Sequence, residues 1–246
     1  MPDCQTAVMA RNPVRFWGGP ATVTGATREP DTHRPACDQT IGRGPEEALL
    51  PSSRQSSTPR TLTGVGVGPG DPELLTLKAV GELRDADVVL VPVVDRGETG
   101  RAEEVVKAAC PELAGRIVQL RFEMSKLREV GKERHRAWQE ATRIAVQQYE
   151  AGAKRVVFAT VGDPSVYSTF SYLADHVRAA LPDVEITIVP GITAMQALAA
   201  ASLTPLVEGR ETLTLVPVTA GSETLEKALT NSDTVVAYKG GRHLET

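Results

Sequence analysis

The sequence predicts an α/β fold built on a mostly parallel sheet with helices on both faces. Short runs rich in β-branched residues alternate with longer stretches of helical periodicity from residue 61 onward, and such alternation is typical of parallel sheets. Three of the predicted strands lead directly into loops rich in glycine or proline. After Pro205 the alternation restarts with two more strand candidates around one helix. We therefore expect two α/β domains, at 61–207 and 208–246, with the second incomplete.

Composition points to a globular protein without an extensive basic surface. Of the 246 residues, 41% are hydrophobic and 24% are charged, and the formal net charge is -4, so we expect no nucleic-acid partner. No apolar run approaches the roughly 20 residues that span a membrane, and we expect no membrane partner. The three cysteines show no CxxC spacing, which argues against a zinc site or a disulfide framework. This cysteine usage fits a cytoplasmic location.

Residues 1–60 are expected to be disordered. They show no sustained period of 2 or 3.6 residues, and they are dense in Pro, Gly, Thr, Ser and Arg. Such a segment buries too little apolar surface to offset the entropy that is lost on ordering.

From residue 61 the elements can be predicted in order. Strands are predicted at 62–67, 87–92, 116–120, 155–160, 185–189, 212–218 and 234–238. Helices are predicted from Asp71 to Leu83, and then at 103–109, 133–150, 169–180, 194–202 and 222–229. Pro72 suits the first turn of a helix because its missing N–H is not needed there. The apolar face of this first helix is predicted to consist of Leu74, Leu75, Leu77, Ala79, Val80 and Leu83. Pro92 is expected to end its strand, and Gly152 is expected to end the long helix.

The three special loops contain the strings GVGVGPGDP, VGDPSVYSTF and PGITAMQ. Parallel strands end at the same edge of a sheet, and ligands of α/β proteins bind at that edge, so three such loops predict a pocket. Neither of the phosphate-binding patterns GxxxxGKS/T and GxGxxG is met. Asp71 and Asp163 stand at two of the loops, where acids suit hydroxyls, amines or a cation better than phosphate. Helix capping is also a sufficient explanation of both acids.

The three loops, together with GDPSVYSTFSYL and VVAYKGGRHL, carry a family resemblance. In this order they resemble the motifs of the tetrapyrrole methylases, over about residues 61–243. Within that family the resemblance is strongest to enzymes that methylate C-20 of precorrin-2 or cobalt-precorrin-2, giving precorrin-3A in cobalamin biosynthesis. The resemblance implies the tetrapyrrole methylase fold, with S-adenosylmethionine as cofactor in the cleft between two α/β domains. It also implies a homodimer when the chain is full length.

The resemblance further implies which residues meet the cofactor, mostly through backbone groups. The matching positions are Pro69, Gly162, Asp163, Val166, Thr193 and Ala194. Pro69 would also form a wall of the substrate trough. Lys239 stands where relatives carry an apolar contact residue, and the cofactor contacts expected beyond Thr246 are absent from the sequence.

The tetrapyrrole substrate carries several carboxylates, which arginine binds well. Arg121 and Arg128 belong to a basic run at 116–136, which either lines the substrate entrance or forms a solvated loop and helix face. Tyr167 is a further substrate-binding candidate. Methyl transfer mainly requires two reactants held at attack distance, so we expect no metal and no covalent enzyme intermediate. No catalytic base is assigned; Tyr167 and His135 are candidates only, and a solvated position explains His135 better.

The first sixty residues admit a second interpretation through the genetic code. Residues 12–23 and 28–36 can be back-translated into DNA that resembles core elements of a cobalamin riboswitch, in the right order. One hypothesis is therefore that residues 1–60 are a translated leader from a start codon assigned too early, and an ordinary disordered tail is the alternative. Three alternative functions stay open: a tetrapyrrole methylase acting at another ring position, a diphthamide methylase of the same fold, and an inactive truncated remnant.

Overall fold

The computed structural model describes residues 6–10, 59–94, 97–122 and 132–239, of which 6–10 and 132–135 are described by their backbone alone. All of these residues belong to one compact unit. The segments 12–23 and 28–36, on which the leader hypothesis depends, lie outside the described residues. Within the described ranges, no helix is both long enough and apolar enough to cross a bilayer.

In this part of the chain, the elements follow the predicted order. The strands are β1 (Thr6–Ala10), β2 (Thr61–Gly66), β3 (Val88–Val93), β4 (Ile117–Arg121), β5 (Arg155–Thr160), β6 (Glu185–Val189), β7 (Leu213–Pro217) and β8 (Thr234–Tyr238). The α-helices are α1 (Leu77–Arg84), α2 (Arg101–Ala109), α3 (Lys132–Glu150), α4 (Phe170–Ala180), α5 (Ala194–Ser202) and α6 (Ser222–Asn231). The predicted strands and helices from residue 61 onward are confirmed, with two exceptions: β3 continues past Pro92, and the helix predicted from Asp71 to Leu83 is interrupted.

Five of these strands form one parallel sheet in the order β4-β3-β5-β2-β6. Strand β2 pairs with both β5 and β6, so that Thr63 lies opposite Val157 on one side and Thr187 on the other. Because all five strands run in the same direction, their carboxyl ends meet at one edge of the sheet. The loops after β2, β5 and β6 therefore leave neighbouring strands at that edge.

Helices cover both faces of the five-stranded sheet. On one face, α1 and α2 contribute the buried side chains of Leu83 and Val106. On the other face, α3 and α4 contribute Ala145 and Val177, which belong to the same buried cluster as Phe158 of β5. Burial on both faces explains why the strands read as nearly continuous apolar runs, and it confirms the predicted layers.

A second, smaller sheet has the order β1-β8-β7. Strand β7 runs parallel to β8, whereas β1 pairs antiparallel to β8 with Val8 opposite Val236. A small core of Val216, Ala228 and Val235 joins this sheet to α6. The strand β1 corrects the expectation of no regular structure before residue 61, for its five residues, because a short run of Thr, Ala, Val and Met can pair with an open strand edge.

The helix predicted after the first glycine loop is interrupted. Pro72–Leu74 form only a 3-10 turn, which Asp71 caps by accepting a backbone hydrogen bond at 2.9 Å. Thr76 then starts α1 anew, since its hydroxyl accepts a hydrogen bond from the Ala79 amide at 3.1 Å. The restart changes the phase of the apolar stripe, and Leu77, which was predicted to face the core, is 93% exposed.

Candidate functional site

The loops after β2, β5 and β6 contact one another through their backbones. The Gly162 amide donates a hydrogen bond to the Gly68 carbonyl at 2.7 Å. A Cβ atom added to Gly66 would lie 2.5 Å from the Gly162 oxygen and 2.7 Å from the Gly191 Cα. Real Cβ contacts are not this short, so glycine is required where the loops cross. The prediction that three loops lie together at one edge is thus confirmed.

Asp163 joins the second loop to the third. Its Oδ1 accepts hydrogen bonds from the Ser165 amide at 2.7 Å and from the Ser165 hydroxyl, and its Oδ2 accepts one from the Gly191 amide at 2.9 Å. Burial opposes ionisation of this 8% exposed residue, but the hydrogen bonds from Ser165 and Gly191 outweigh burial and hold the pKa of Asp163 below its ordinary value. Helix capping therefore explains Asp71 but not Asp163.

The third loop leads into α5 at Thr193 and Ala194. The amide and the hydroxyl of Thr193 both donate to Gln196 Oε1, at 2.9 and 3.0 Å. Thr193 is 7% exposed, and its Cα lies 3.9 Å from the position that a Cβ on Gly162 would take. The first-turn amides of α5 therefore begin next to the crossing loops, where they can donate to polar groups of a ligand.

Val166 and Tyr167 follow the Asp163 turn. The Val166 amide donates to the Asp163 carbonyl at 3.2 Å. Tyr167 has a left-handed backbone with a φ of 50°, which is uncommon for a residue with a side chain. Its ring lies 5.0 Å from the Tyr238 ring and 5.6 Å from the Lys239 ammonium. Burial raises the pKa of Tyr167 and Tyr238 adds to this effect, so the phenol is protonated at neutral pH.

Pro69 forms the tip of the first loop. It stands between Gly68, with a φ of 75°, and Gly70, with a φ of 140°. These left-handed glycines turn the chain sharply on either side of the proline. Because Gly68 accepts the hydrogen bond from Gly162, Pro69 directly adjoins the point where the first two loops meet.

The basic candidates stand apart from the three loops. Arg121 ends β4 at the same sheet edge, but β4 is two strands away from β5, about 10 Å at the usual strand spacing. Its Nε donates to the Val94 carbonyl at 3.3 Å. Arg116 precedes β4 and so lies at the opposite edge of the sheet. Arg128 and the side chain of His135 lie outside the described residues.

Two further residues belong to this region although the sequence analysis did not select them. Ser165 lies in the second loop and donates to Asp163, and the ring of Tyr238 packs against Tyr167 of the same loop. Ser165 follows Asp163 by two residues, which is the spacing of an Asx turn. Tyr238 is the last residue of β8 and is followed by Lys239. A position at the carboxyl end of a parallel strand is the signal that could have selected Tyr238.

Comparison with known proteins assigns this arrangement to a family. The model of the tetrapyrrole (corrin/porphyrin) methylases matches residues 61–246. The chain belongs to this family. As a tetrapyrrole methylase it adopts the mixed α/β fold with a parallel sheet that the sequence predicted.

Two named tetrapyrrole methylases are similar to the chain along most of their length. It is 39% identical over 180 residues to the "probable cobalt-precorrin-2 C(20)-methyltransferase" of Methanocaldococcus jannaschii, covering 73% of this chain and 72% of that relative. It is 34% identical over 189 residues to the precorrin-2 C(20)-methyltransferase of a Sinorhizobium species, covering 74% of each.

One solved structure supports the fold. The cobalamin synthesis related protein CobF from Corynebacterium diphtheriae matches with a TM-score of 0.53 at 23% identity, over 65% of this chain and 65% of the solved chain. At this level of identity the likeness concerns the course of the backbone alone.

Proposed function

We propose that this tetrapyrrole methylase uses S-adenosylmethionine to methylate C-20 of precorrin-2, or of its cobalt form, giving precorrin-3A in cobalamin biosynthesis. The names of the two similar relatives support this substrate and this ring position. The observation that carries the proposal is the crossing of three strand-end loops at Gly66, Gly162 and Gly191. Such a crossing brings the backbones of the three loops together with no side chain between them.

The proposed cofactor contacts all lie on these loops. They are Pro69, Gly162, Asp163, Val166, Thr193 and Ala194. The Asp163 carboxylate oxygens already accept hydrogen bonds from Ser165 and Gly191, so we expect this residue to contribute through its backbone. S-adenosylmethionine, when bound, supplies a methyl group that its sulfonium already activates. The residues of the chain therefore need to bind, orient and exclude water, without activating the donor.

Arg121, Arg128 and Tyr167 are the proposed substrate contacts. Guanidinium groups suit the carboxylates of a tetrapyrrole, and the Tyr167 ring, which is 41% exposed, offers an aromatic face beside the loops. Since the pKa of Tyr167 is raised by burial first and by Tyr238 second, its hydroxyl is suited to donating a hydrogen bond and is a poor general base.

Binding of S-adenosylhomocysteine by titration calorimetry, followed by an anaerobic methyl-transfer assay, tests the proposal. The assay uses methyl-labelled S-adenosylmethionine with cobalt-precorrin-2, and the position of the label is read by NMR. We expect saturable binding and a label at C-20. A label at another carbon would identify a different tetrapyrrole methylase, and absence of binding would contradict the proposed function altogether.

A matched pair of glycine variants tests the location of the cofactor site. Gly191→Ala places a Cβ against the Gly162 carbonyl oxygen and the Gly66 backbone. We expect S-adenosylhomocysteine affinity to fall at least tenfold and the free energy of unfolding to fall by about 1 to 3 kcal/mol. Gly81 lies in α1, and a Cβ there meets nothing within 4 Å, so Gly81→Ala should raise stability by about 0.5 to 1 kcal/mol with unchanged affinity. Equal affinities would exclude the loop crossing as the site.

We also propose that the protein forms a homodimer and works in the cytoplasm. Leu203 and Val207 after α5 and Ile188 on the edge strand β6 are 79%, 43% and 50% exposed, and apolar side chains so exposed suit a subunit interface. Light scattering should give twice the 26.3 kDa of one chain, and a monomer mass would contradict the dimer.

The odd number of cysteines supports a reducing compartment, which cell fractionation tests.

A further inference from the structure

Lys239 connects the small sheet to the second of the three loops. It follows Tyr238, the last residue of β8, and its ammonium lies 5.6 Å from the centre of the Tyr167 ring in the loop after β5. A cation within about 6 Å of an aromatic face is attracted to that face. The side chain of Lys239, which starts from the small sheet, is therefore held against a loop of the large one.

A pair of aromatic rings surrounds the contact. The rings of Tyr167 and Tyr238 have their centroids 5.0 Å apart and their planes inclined by 49°, which is within the favourable range for two such rings. Tyr167 is 41% exposed and Lys239 is half-buried. Because an ammonium carries three donors, it can contact an aromatic face and still donate to an anion.

The backbone of Lys239 is strained as well. Three residues other than glycine in the described ranges are left-handed: Leu203 ends α5, and the other two, Tyr167 and Lys239, contact each other, with φ values of 50° and 61°. Side chains are unfavourable in this conformation, and residues held in it cluster at ligand sites. The family resemblance gives this position to an apolar residue, so neither the backbone nor the family pattern requires a lysine here.

The chemistry of the proposed substrate matches this cation. A tetrapyrrole carries several carboxylates, and an ammonium binds a carboxylate through a charge-assisted hydrogen bond. Arg121, the other described basic candidate, ends β4, which is two strands away from β5. Lys239, by contrast, contacts the loop after β5 directly. It therefore brings a positive charge to the three loops from the side of the small sheet.

We propose that Lys239 is a substrate-binding residue: its ammonium, held on the Tyr167 ring, donates to a carboxylate of the tetrapyrrole. The proposal rests on the proposed function, because it assumes that the substrate lies beside the three loops. Two other roles for Lys239 make different predictions. In one, the ammonium binds the carboxylate of the cofactor's methionine part; in the other, it only joins the small sheet to the loop.

The test is the full-length variant Lys239→Met, which keeps most of the side-chain length and removes the charge. Binding of cobalt-precorrin-2 to the chain saturated with S-adenosylhomocysteine is followed by absorption under anaerobic conditions. We expect the dissociation constant of cobalt-precorrin-2 to rise about tenfold, which is the contribution of one hydrogen bond to a charged group. The affinity for S-adenosylhomocysteine, measured by titration calorimetry, should not change. Lys239→Arg keeps the charge and should retain most of the substrate affinity.

Lys239→Gly separates binding from stability. Glycine adopts a φ of 61° without strain, so the melting temperature of this variant should be unchanged or higher, while its substrate affinity falls as in Lys239→Met. Lys227→Met is the matched control, because it removes one positive charge from α6, where the exposed ammonium pairs with Glu223 at 2.7 Å. Exposed ion pairs contribute little to stability, and this variant should bind both ligands like the unaltered chain.

The outcomes distinguish the three roles of Lys239. Unchanged substrate affinity in Lys239→Met would overturn the proposal and leave the proposed function intact, whatever the melting temperature. A loss of S-adenosylhomocysteine affinity in the same variant would also overturn it, because the ammonium would then serve the cofactor. An equal loss of substrate affinity in Lys227→Met would replace the specific contact by a general effect of charge. If the unaltered chain binds neither ligand, the proposed function fails together with this proposal.

Discussion

Asp163 shows how a single residue can shape the site without facing a ligand. Its two carboxylate oxygens accept hydrogen bonds from Ser165 in its own loop and from Gly191 in the next. The loops it joins supply most of the proposed cofactor contacts. A residue that resembles a binding acid in the sequence therefore acts as a brace between two loops.

The first prediction concerns this brace. Asp163→Asn keeps the shape of the side chain but loses its charge, and we expect it to lower the free energy of unfolding by about 1 to 3 kcal/mol at pH 7. Since the folded pKa of Asp163 lies below the ordinary value of an aspartate, its charge stabilises the fold above that ordinary value, and the contribution is lost as the pH falls through the folded pKa. Urea titrations at several pH values measure both effects.

Asp71→Asn is the matched control for that experiment. Asp71 caps an exposed 3-10 turn through one backbone hydrogen bond, and asparagine caps about as well as aspartate, so its variant should change stability by less than about 0.5 kcal/mol. A stability gap between the unaltered chain and Asp163→Asn that persists undiminished at pH 3 would show that the Asp163 charge is not the cause.

At the scale of elements, a buried carboxylate fixes α2 against β4. Glu103 is 4% exposed; its Oε1 lies 2.6 Å from Lys107 Nζ, and its Oε2 accepts from Gln119 Nε2 at 2.7 Å. Burial opposes ionisation of Glu103, yet the hydrogen bonds from Lys107 and Gln119 outweigh it and lower the pKa. Gln119 Oε1 in turn accepts from the Gly97 amide at 3.2 Å, so the same group orients the loop after β3.

The second prediction follows from these contacts. Glu103→Gln should lower the free energy of unfolding by about 1 to 3 kcal/mol, because an uncharged amide cannot accept as strongly from both partners. Glu104→Gln is the control: its side chain is exposed on the same helix, and we expect less than about 0.5 kcal/mol. Urea midpoints measure the difference, and equal midpoints for the two variants would refute the role assigned to Glu103.

At the scale of the whole molecule, the two sheets are supported unequally. The five-stranded sheet has a buried core on each face, whereas in the described part of the chain the buried cluster between the small sheet and α6 has three members, Val216, Ala228 and Val235. In the small sheet β1 covers one edge of β8. Since local opening free energy follows the amount of packing, the small sheet should open before the large one.

The third prediction tests this difference through β1. Neighbouring residues of a strand direct their N–H groups to opposite sides of the strand. Only one of the two variants Ala7→Pro and Val8→Pro therefore removes a backbone hydrogen bond to β8, and the other variant serves as its control. We expect one of the two variants to accelerate hydrogen exchange at Thr234–Tyr238, with no change at Arg155–Thr160. If neither variant alters exchange in β8, the pairing of β1 with β8 is wrong.

Much of the fold could be predicted because its determinants are local. The predicted ranges of β5, β6, α5 and β8 agree with the structure to the residue, because the residue types within them and the turn residues at their ends are both visible in the local sequence. Leu77 was placed on the wrong face because Thr76 caps a new helix in the middle of the apolar pattern. Strand β1 was missed because it depends on the partner that β8 provides, and partners are not visible in a local window.

By itself, the sequence determined the alternation of strands and helices and the placement of glycine and proline at three strand ends, because periodicity and turn chemistry act between near neighbours. Only the tertiary structure decided that β2 lies between β5 and β6, and hence that Gly66, Gly162 and Gly191 cross. It also assigned Asp163 to a link between loops and packed the ring of Tyr238 against that of Tyr167. The physical reason is that these contacts join residues far apart in the chain, and the order of strands in the sheet brings them together.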